Sequence, residues 1–325
     1  MTPAEKEALE VEKAYGRAYV QYGAATALQV VQAWEGVDRL TPSGRLMLLS
    51  AVTAHVLAGR KKMAALAVRR TQLVNALRKG RQLKGGPDGA ETLQDLREAL
   101  TEALKDVGAP RAKRAVGLDA NMVIPVSAEA GSVAGLIEEI NDGIDTDIEN
   151  VVEALGNGRL GKIARKEGVV TPKDVRTSRD LVASGAERLV LNGGRQTDAQ
   201  ILQLNRDLLG FVRVHDYRED EPCPFCSMLM SRGPVYGSHR AAEGFYNEDA
   251  EEWNKYHFNC HCSAVSVYSQ REWLTNPLLA DNRMYQQEWN RVIKDRYSGD
   301  AALSEWRKHV KSLNASRDSA TQVAA

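Results

Sequence analysis

Apolar residues recur at helical intervals through the first third of the chain. Thr41 before Pro42 is typical of a helix start, and Gly80 suits a left-handed helix end. Between them, apolar residues three, four or seven apart form one stripe: Leu49, Val52, Val56, Met63, Leu66, Leu73 and Leu77. A second helix is predicted from Ala4 to Trp34, with a turn around Gly36. The pattern predicts a long N-terminal helical hairpin whose amphipathic helices would lie against a partner.

The remaining apolar pattern predicts shorter elements. Two runs of alternating apolar and polar residues, Phe211–His215 and Ser263–Tyr268, are typical of strands. The Pro- and Gly-containing segment Gly108–Ser132 is a candidate domain boundary, and the Ser-, Ala- and Thr-rich last dozen residues are predicted to be disordered. Further helices are predicted over Glu91–Lys105, Val133–Leu155, Thr177–Leu191, Asp198–Leu209, Asn282–Tyr297 and Ala301–Leu313.

Cysteines occur only in a short window of the second half of the chain. All four, Cys223, Cys226, Cys260 and Cys262, lie within forty residues of a chain that has no other. A disulfide framework would spread its cysteines through the fold, so the clustering favours a metal site. A thioredoxin-like redox pair would follow a βαβ pattern and would not need the second pair of thiols.

The two cysteine pairs have the spacing of zinc half-sites. Cys223-Pro-Phe-Cys226 places two thiols on one tight turn, and His257-Phe-Asn-Cys260-His-Cys262 follows. We expect one structural zinc ion held by Cys223, Cys226, Cys260 and either Cys262 or His257. Four cysteines rank above three cysteines with His257, and His261 ranks last. Because donors exceed the four positions of a tetrahedral site, we expect a closed structural site and not a catalytic one.

Composition argues against some classes of binding partner. Forty-three basic residues balance forty-three acidic ones, which argues against a surface wholly committed to nucleic acid. The acidic, polar first residues are unlike a signal peptide, and the longest apolar stretch, Leu46–Gly59, is too short to span a bilayer, so no membrane partner is expected. Basic residues cluster around Arg60–Lys62 and Arg69–Arg81, where a solvated helix face is favoured over a phosphate-binding one.

Two further sequence motifs give only weak evidence of function. Gly156-Asn-Gly-Arg-Leu-Gly-Lys162 resembles a phosphate-binding loop, but Ile163 follows the lysine where Ser or Thr would hold Mg²⁺. A helix end followed by a turn is the preferred interpretation. Ser238 and His239 are adjacent, which leaves open a Ser/His arrangement for proteolysis, although no hydrolase motif surrounds them. Enzymatic activity is therefore expected less than a binding role.

One family resemblance covers roughly residues 175–270. The segments Phe211-Val-Arg-Val-His215, Cys223–Tyr236 and Tyr256–Tyr268 resemble minor head proteins of tailed phages related to protein F of phage Mu. The similarity is greatest to the branch with an added C-x-x-C in phages of actinobacteria. The segment that begins at Asn276-Pro-Leu-Leu, followed by Trp-containing helices, is also similar to that branch.

This resemblance implies a virion or procapsid component that acts in head morphogenesis near the portal vertex. It would be made in the host cytoplasm, and its partners would be portal and capsid or scaffold proteins, with packaged DNA as a further candidate. Some members are labelled capsid maturation proteases, which is one alternative function; a nucleic-acid-binding zinc protein is another.

The expected fold is mainly α, with a long N-terminal helical hairpin and a small α+β zinc-stapled C-terminal module. We expect three parts: a helical N-terminal domain over residues 1–125, a Mu F-like minor head domain with the zinc site over 126–275, and C-terminal helices with a disordered tail over 276–325.

Overall fold

The structure is a computed structural model that describes residues 1–38, 41–80, 91–114, 116–119, 121–124, 140–203, 208–215, 222–237, 242 and 262–324. These residues fall into two compact units. The N-terminal unit contains the described residues from 2 to 203, and the C-terminal unit contains those from 208 to 242 and from 262 to 324. The boundary between the two units does not coincide with either predicted domain boundary, 125/126 or 275/276. The division into three domains stays a prediction.

Two long helices open the N-terminal unit, as the apolar pattern predicts. Helix α1 spans Pro3–Glu35 and α2 spans Pro42–Lys79. Thr41 caps α2 by accepting a hydrogen bond from the Gly44 N–H, and Gly80 ends it with a positive φ of 68°. Both predicted end signals of α2 are therefore confirmed. No helix among the described residues has the length and apolar character needed to cross a membrane.

Shorter elements complete this unit. Strand β1 (Glu91–Thr92) pairs with β2 (Val123–Ile124), and α3 (Leu93–Asp106) starts between them. Helices α4 (Ile144–Val152), α5 (Gly158–Glu167) and α6 (Pro172–Gln203) follow. Helix α6 packs along both α1 and α2. It is continuous where the sequence predicts two helices, over Thr177–Leu191 and Asp198–Leu209. Gly193 and Gly194, which lie between the two predictions, are inside the helix.

Glycine allows α6 to approach α2 closely. A Cβ atom added at Gly193 would lie 2.9 Å from the Cα atom of Arg60, and one added at Gly59 would lie 2.8 Å from a methyl group of Val190. Real Cβ atoms essentially never come this near to another heavy atom. These two glycines therefore fix the place where the backbones of α2 and α6 cross.

The glycine motif at 156–162 is helical. A π-helical turn, Glu153–Asn157, joins α4 to α5, so the chain from Ile144 to Glu167 forms one interrupted helix. The predicted helix end and turn are wrong here, because the π turn accommodates the glycines without ending the helix. Gly156 instead packs on the ring of Trp34, which would lie 3.0 Å from an added Cβ. A phosphate-binding loop requires a loop at this place, so the rejection of that motif is supported.

A buried polar network ties the helices together around Asp198. Its carboxylate accepts hydrogen bonds from Arg70 (2.9 Å), the Thr71 hydroxyl (2.9 Å) and the Tyr15 hydroxyl (3.3 Å). Burial, and secondarily the Asp198 carboxylate, raises the pKa of Tyr15 well above its usual value. The hydroxyl therefore remains a donor. Arg70 also lies 4.4 Å from the centre of the Tyr15 ring and 3.6 Å from a carboxylate oxygen of Glu12.

Arg60 forms a second buried junction. Its guanidinium donates to Asn141 Oδ1 (2.7 Å), the Leu189 carbonyl (2.7 Å), Gln196 Oε1 (2.6 Å) and the Ile140 carbonyl. Burial lowers the pKa of Arg60 to about 10, with Asp147 opposing the shift. Arg60 and Arg70 are 1% and 2% exposed. The predicted solvated basic face is therefore wrong for these two residues.

The C-terminal unit combines a two-stranded sheet with short and long helices. Strand β3 (Gly210–Val214) pairs antiparallel with β4 (Ser263–Val267), which confirms both predicted strands. The helices are α7 (Pro224–Met230), α8 (Gln270–Thr275), α9 (Ala280–Val292) and α10 (Gly299–Ala324). Helix α10 continues to Ala324, through the tail for which the sequence predicts disorder. Mainly helical architecture with an N-terminal hairpin is confirmed; the zinc staple stays a prediction.

The buried network at Asp198 leads to a stability prediction. Asp198→Ala should lower the free energy of unfolding by about 3–5 kcal/mol, because it removes the buried carboxylate that balances Arg70. Glu35→Ala is the control, since Glu35 pairs with Arg179 at 2.7 Å on the exposed surface and should cost less than about 1 kcal/mol. Urea unfolding followed by circular dichroism measures both. Equal losses would contradict a structural role for the network.

Candidate metal centre

The β3–β4 pairing brings the two cysteine-bearing segments toward one end of the sheet. Val214 lies opposite Ser263 in the antiparallel register. Continuing that register by one residue places His215 opposite Cys262. The chain leaves β3 at His215 on its way to Cys223 and Cys226, and it reaches β4 from Cys260 through Cys262. The second predicted half-site therefore directly precedes β4, and the first follows the same end of the strand pair, with seven residues between His215 and Cys223.

Cys223 begins α7 as its N-cap residue. Its backbone is extended, with φ −61° and ψ 155°, and its Sγ atom accepts a hydrogen bond from the Cys226 N–H at 3.4 Å. Pro224 occupies the first helical position, where a missing N–H group costs nothing. Two thiols thus lie on one turn, with a backbone donor directed at the first sulfur. This geometry stabilises a thiolate, which is the form that binds zinc.

Arg213 supplies charge beside the second thiol. Cys226 is buried, and its Sγ atom accepts a hydrogen bond from Arg213 Nη2 at 3.6 Å. Arg213 lies in β3 and is itself fully buried. A buried guanidinium next to a buried sulfur favours the negatively charged form of that sulfur. Sequence analysis missed Arg213, because its place in the alternating Phe211–His215 run marks it only as a strand residue.

Side chains of the C-terminal helices α9 and α10 pack against the helix that follows Cys223. Trp306 on α10 is fully buried, and its Nε1–H donates to the Pro224 carbonyl and to Ser227 Oγ, both at 3.1 Å. Apolar side chains of α7, α9 and α10 form one core cluster: Met228, Leu229, Met230, Tyr285, Ile293, Ala302, Trp306 and Val310. The helices predicted as a separate C-terminal part are therefore packed into the unit that carries the cysteines.

Asn282 joins the strand to the helix of the C-x-x-C turn. Its side-chain amide donates to the Arg213 carbonyl (2.7 Å) and to the Met230 carbonyl (3.2 Å), and the residue is fully buried. The hydrogen bonds fix the end of α7 against β3. Sequence analysis also missed this role, since a single Asn in a helical segment gives no signal of a long-range contact.

The described part of the chain contains only some of the predicted ligands. Cys223, Cys226 and Cys262 lie within it, are not in a disulfide, and are half-buried, buried and buried, respectively. Cys260, His257 and His261 lie outside the described residues, as do Ser238 and His239. Among the residues that the structure does describe, no three His, Cys, Asp or Glu side chains form a metal-binding group. The complete ligand set stays a prediction.

Asn282→Ala should destabilise the C-terminal unit by about 2–4 kcal/mol, because two buried carbonyl groups lose their amide donor. Gln286→Ala, one turn later on α9, is the control, since its amide makes only a 3.5 Å contact with the Arg232 carbonyl. Tryptophan fluorescence during urea unfolding measures the loss, because Trp273, Trp289 and Trp306 lie in this unit. A loss no greater than that of the control would refute the role given to Asn282.

Comparison with protein families identifies a match over most of the chain. The family model described as VG15 protein matches residues 53–292, about three quarters of the chain. The matched range starts within α2 and includes the cysteine pairs, both strands of the β3–β4 sheet and α9. No curated protein and no solved structure matches the chain significantly.

Proposed function

The chain belongs to the VG15 protein family, a family of phage gene products, and we propose that it is a minor head protein of the Mu F-like kind. In this role it binds other head proteins during morphogenesis, near the portal vertex. Its C-terminal unit is stabilised by one structural zinc ion. One observation carries the proposal: the helix of the C-x-x-C turn packs on β3, and β4, which pairs with β3, begins directly after Cys262.

The described parts of the segments that resemble Mu F-like proteins contact one another. Phe211–His215 contains four of the five residues of β3, the C-x-x-C segment contains α7, which packs on β3, and β4, which pairs with β3, directly follows Cys262. Phe211 also forms an isolated antiparallel bridge with Tyr236, the last residue of the second segment. Motif residues far apart in sequence thus belong to one small structural element. Such an arrangement supports a shared module more strongly than an isolated C-x-x-C would.

Two features of the Cys223–Cys226 turn support a structural zinc site. Cys223 and Cys226 have the half-site geometry, and both sulfurs accept N–H groups, the usual environment of a metal-bound thiolate. Cys223, Cys226 and Cys260 would hold the ion, with Cys262 or His257 as fourth ligand. Zinc closed in by four protein ligands supplies folding free energy and offers no open position for catalysis.

A protein-binding role is favoured over the nucleic-acid-binding alternative. That alternative rests on the basic cluster of α2, yet Arg60 and Arg70 direct their guanidinium groups into buried networks of the N-terminal unit. Portal and capsid or scaffold proteins are the proposed partners. The proposed location is the virion head or portal vertex, with the host cytoplasm as the place of synthesis. The protease alternative depends on Ser238 and His239 and stays a prediction.

The zinc site is tested by metal content. The purified protein should carry about one zinc ion per chain, and Cys223→Ser should lose the ion together with part of the near-ultraviolet circular dichroism, to which the tryptophans of this unit contribute. Met228→Leu, a volume-conserving change on the same helix, is the control and should keep the metal. Zinc removal by a chelator should unfold the C-terminal unit, because such sites contribute on the order of 10 kcal/mol. Protein with no stoichiometric zinc would refute the site.

The head role is tested in the phage. Particles made without this chain should assemble or package DNA abnormally, and the wild-type gene supplied in trans should restore them. The Cys223→Ser gene should fail to do so, whereas Met228→Leu should succeed. Normal, infectious particles from the deletion would rule out a role in head morphogenesis.

A further inference from the structure

Arg213 places a positive charge in the interior of the C-terminal unit. The residue lies in strand β3, and its side chain is fully buried. Arginine is almost never buried to this degree unless other groups offset its charge. Its Nη2 atom donates a hydrogen bond to the Cys226 sulfur over 3.6 Å. The buried charge is therefore directed at one thiol of the C-x-x-C turn.

The strand register shows which face of the sheet carries Arg213. Arg213 lies opposite Ala264, and residues directly opposite each other in an antiparallel pair point to the same face. Side chains alternate along a strand, so the alternation, continued by one residue, places Cys262 on the face of Ala264 and Arg213. The valines of both strands pack together on the other face. Arg213 thus reaches the first cysteine pair from the face that also carries the last cysteine of the second pair.

Both ends of α7 are tied to Arg213. The guanidinium contacts Cys226 near the start of the helix. The fully buried Asn282 side chain donates to the Arg213 carbonyl (2.7 Å) and to the Met230 carbonyl at the helix end (3.2 Å). Residues that orient a binding site act well when packing and hydrogen bonds hold them in place. Packing within the unit therefore fixes where the guanidinium lies relative to the Cys226 sulfur.

We propose that Arg213 is a positioning residue of the zinc site, and this role rests on the zinc centre proposed above. The guanidinium holds the Cys226 sulfur in one direction and offsets part of the negative charge that the thiolates bring to the ion. Zinc with four thiolates is a doubly negative cluster, and zinc with three thiolates and a neutral histidine is a singly negative one. Either charge is costly in a buried place unless a cation lies beside it.

The test combines zinc affinity with cobalt spectroscopy on the purified protein. Arg213→Gln should weaken zinc binding by about 10–100-fold in competition with a chelator, as loss of a group that supports a metal ligand typically does. It should also shift the sulfur-to-metal charge-transfer band of the Co²⁺-loaded protein, because the Cys226 sulfur loses a hydrogen-bond donor. Circular dichroism checks that the variant is folded.

Arg213→Lys is a second variant in case the glutamine variant does not fold. It keeps the positive charge but lacks the planar guanidinium that reaches Cys226. It should therefore weaken zinc binding less than Arg213→Gln does, by less than about 10-fold, and still shift the cobalt band.

Two controls separate this role from general effects of charge and packing. Arg232→Gln removes an exposed arginine of the same unit, whose Nη2 atom lies 3.8 Å from the Met228 sulfur and so contacts no cysteine. Val265→Ala removes buried packing from the other face of the β3–β4 sheet. Both Co²⁺-loaded controls should keep the wild-type charge-transfer band.

The outcomes distinguish this role from the zinc site itself. A wild-type protein that binds no zinc would overturn both. If the wild type binds zinc and the Arg213 variants keep its zinc affinity and its cobalt band, the role of Arg213 alone is overturned. A band shift in Val265→Ala as large as that in Arg213→Gln would also overturn it, because lost packing would then explain the change.

Discussion

The antiparallel pairing of β3 with β4 is the contact on which the C-terminal unit depends. Val214 and Ser263 lie opposite each other although 48 residues separate them in the chain. The end of β3 leads to one cysteine pair, and the start of β4 follows the other. A slip of one residue would turn the valines of one strand, Val212 and Val214 or Val265 and Val267, away from the core that both strands share, and it would move Cys262 out of line with His215. The apolar packing of the strands therefore also sets the geometry offered to a metal ion.

Support for the cysteine turn comes from residues far along the chain. Trp306 and Asn282 contact backbone groups of Pro224, Arg213 and Met230, so the last two helices hold both the turn and the strand beside it. Asn282 meets the buried C-terminal end of α7 and donates to one of its carbonyl groups, that of Met230. A metal site in this unit would rest on a scaffold that is already packed on one side.

The sequence was informative where a local physical signal exists. Thr41, Pro42 and Gly80 mark the ends of α2 through capping, and alternating residues mark β3 and β4, because each signal acts within a few positions. The C-x-x-C spacing predicts a half-site at Cys223 and Cys226, which stays a prediction. Long-range contacts leave no such trace: the sequence marks Arg213 as a strand residue and Arg60 as part of a basic face. Only the fold reveals that the first contacts a thiol and the second joins α2 to α6. The glycines at 156–158 misled the prediction, since a π turn and a helix end share the same residues.

The π turn at Glu153–Asn157 determines how α5 is rotated about its axis relative to α4. A π turn holds one residue more than the equivalent α-helical turn, so Glu153–Asn157 shifts α5 by one position relative to α4. Each residue of an α-helix corresponds to a rotation of about 100° around its axis. Loss of a single residue in this segment would leave an unbroken helix, yet it would swing Lys162 and Arg165 a quarter-turn or more away from their present direction. The length of this short segment thus determines which way the positively charged side of α5 points.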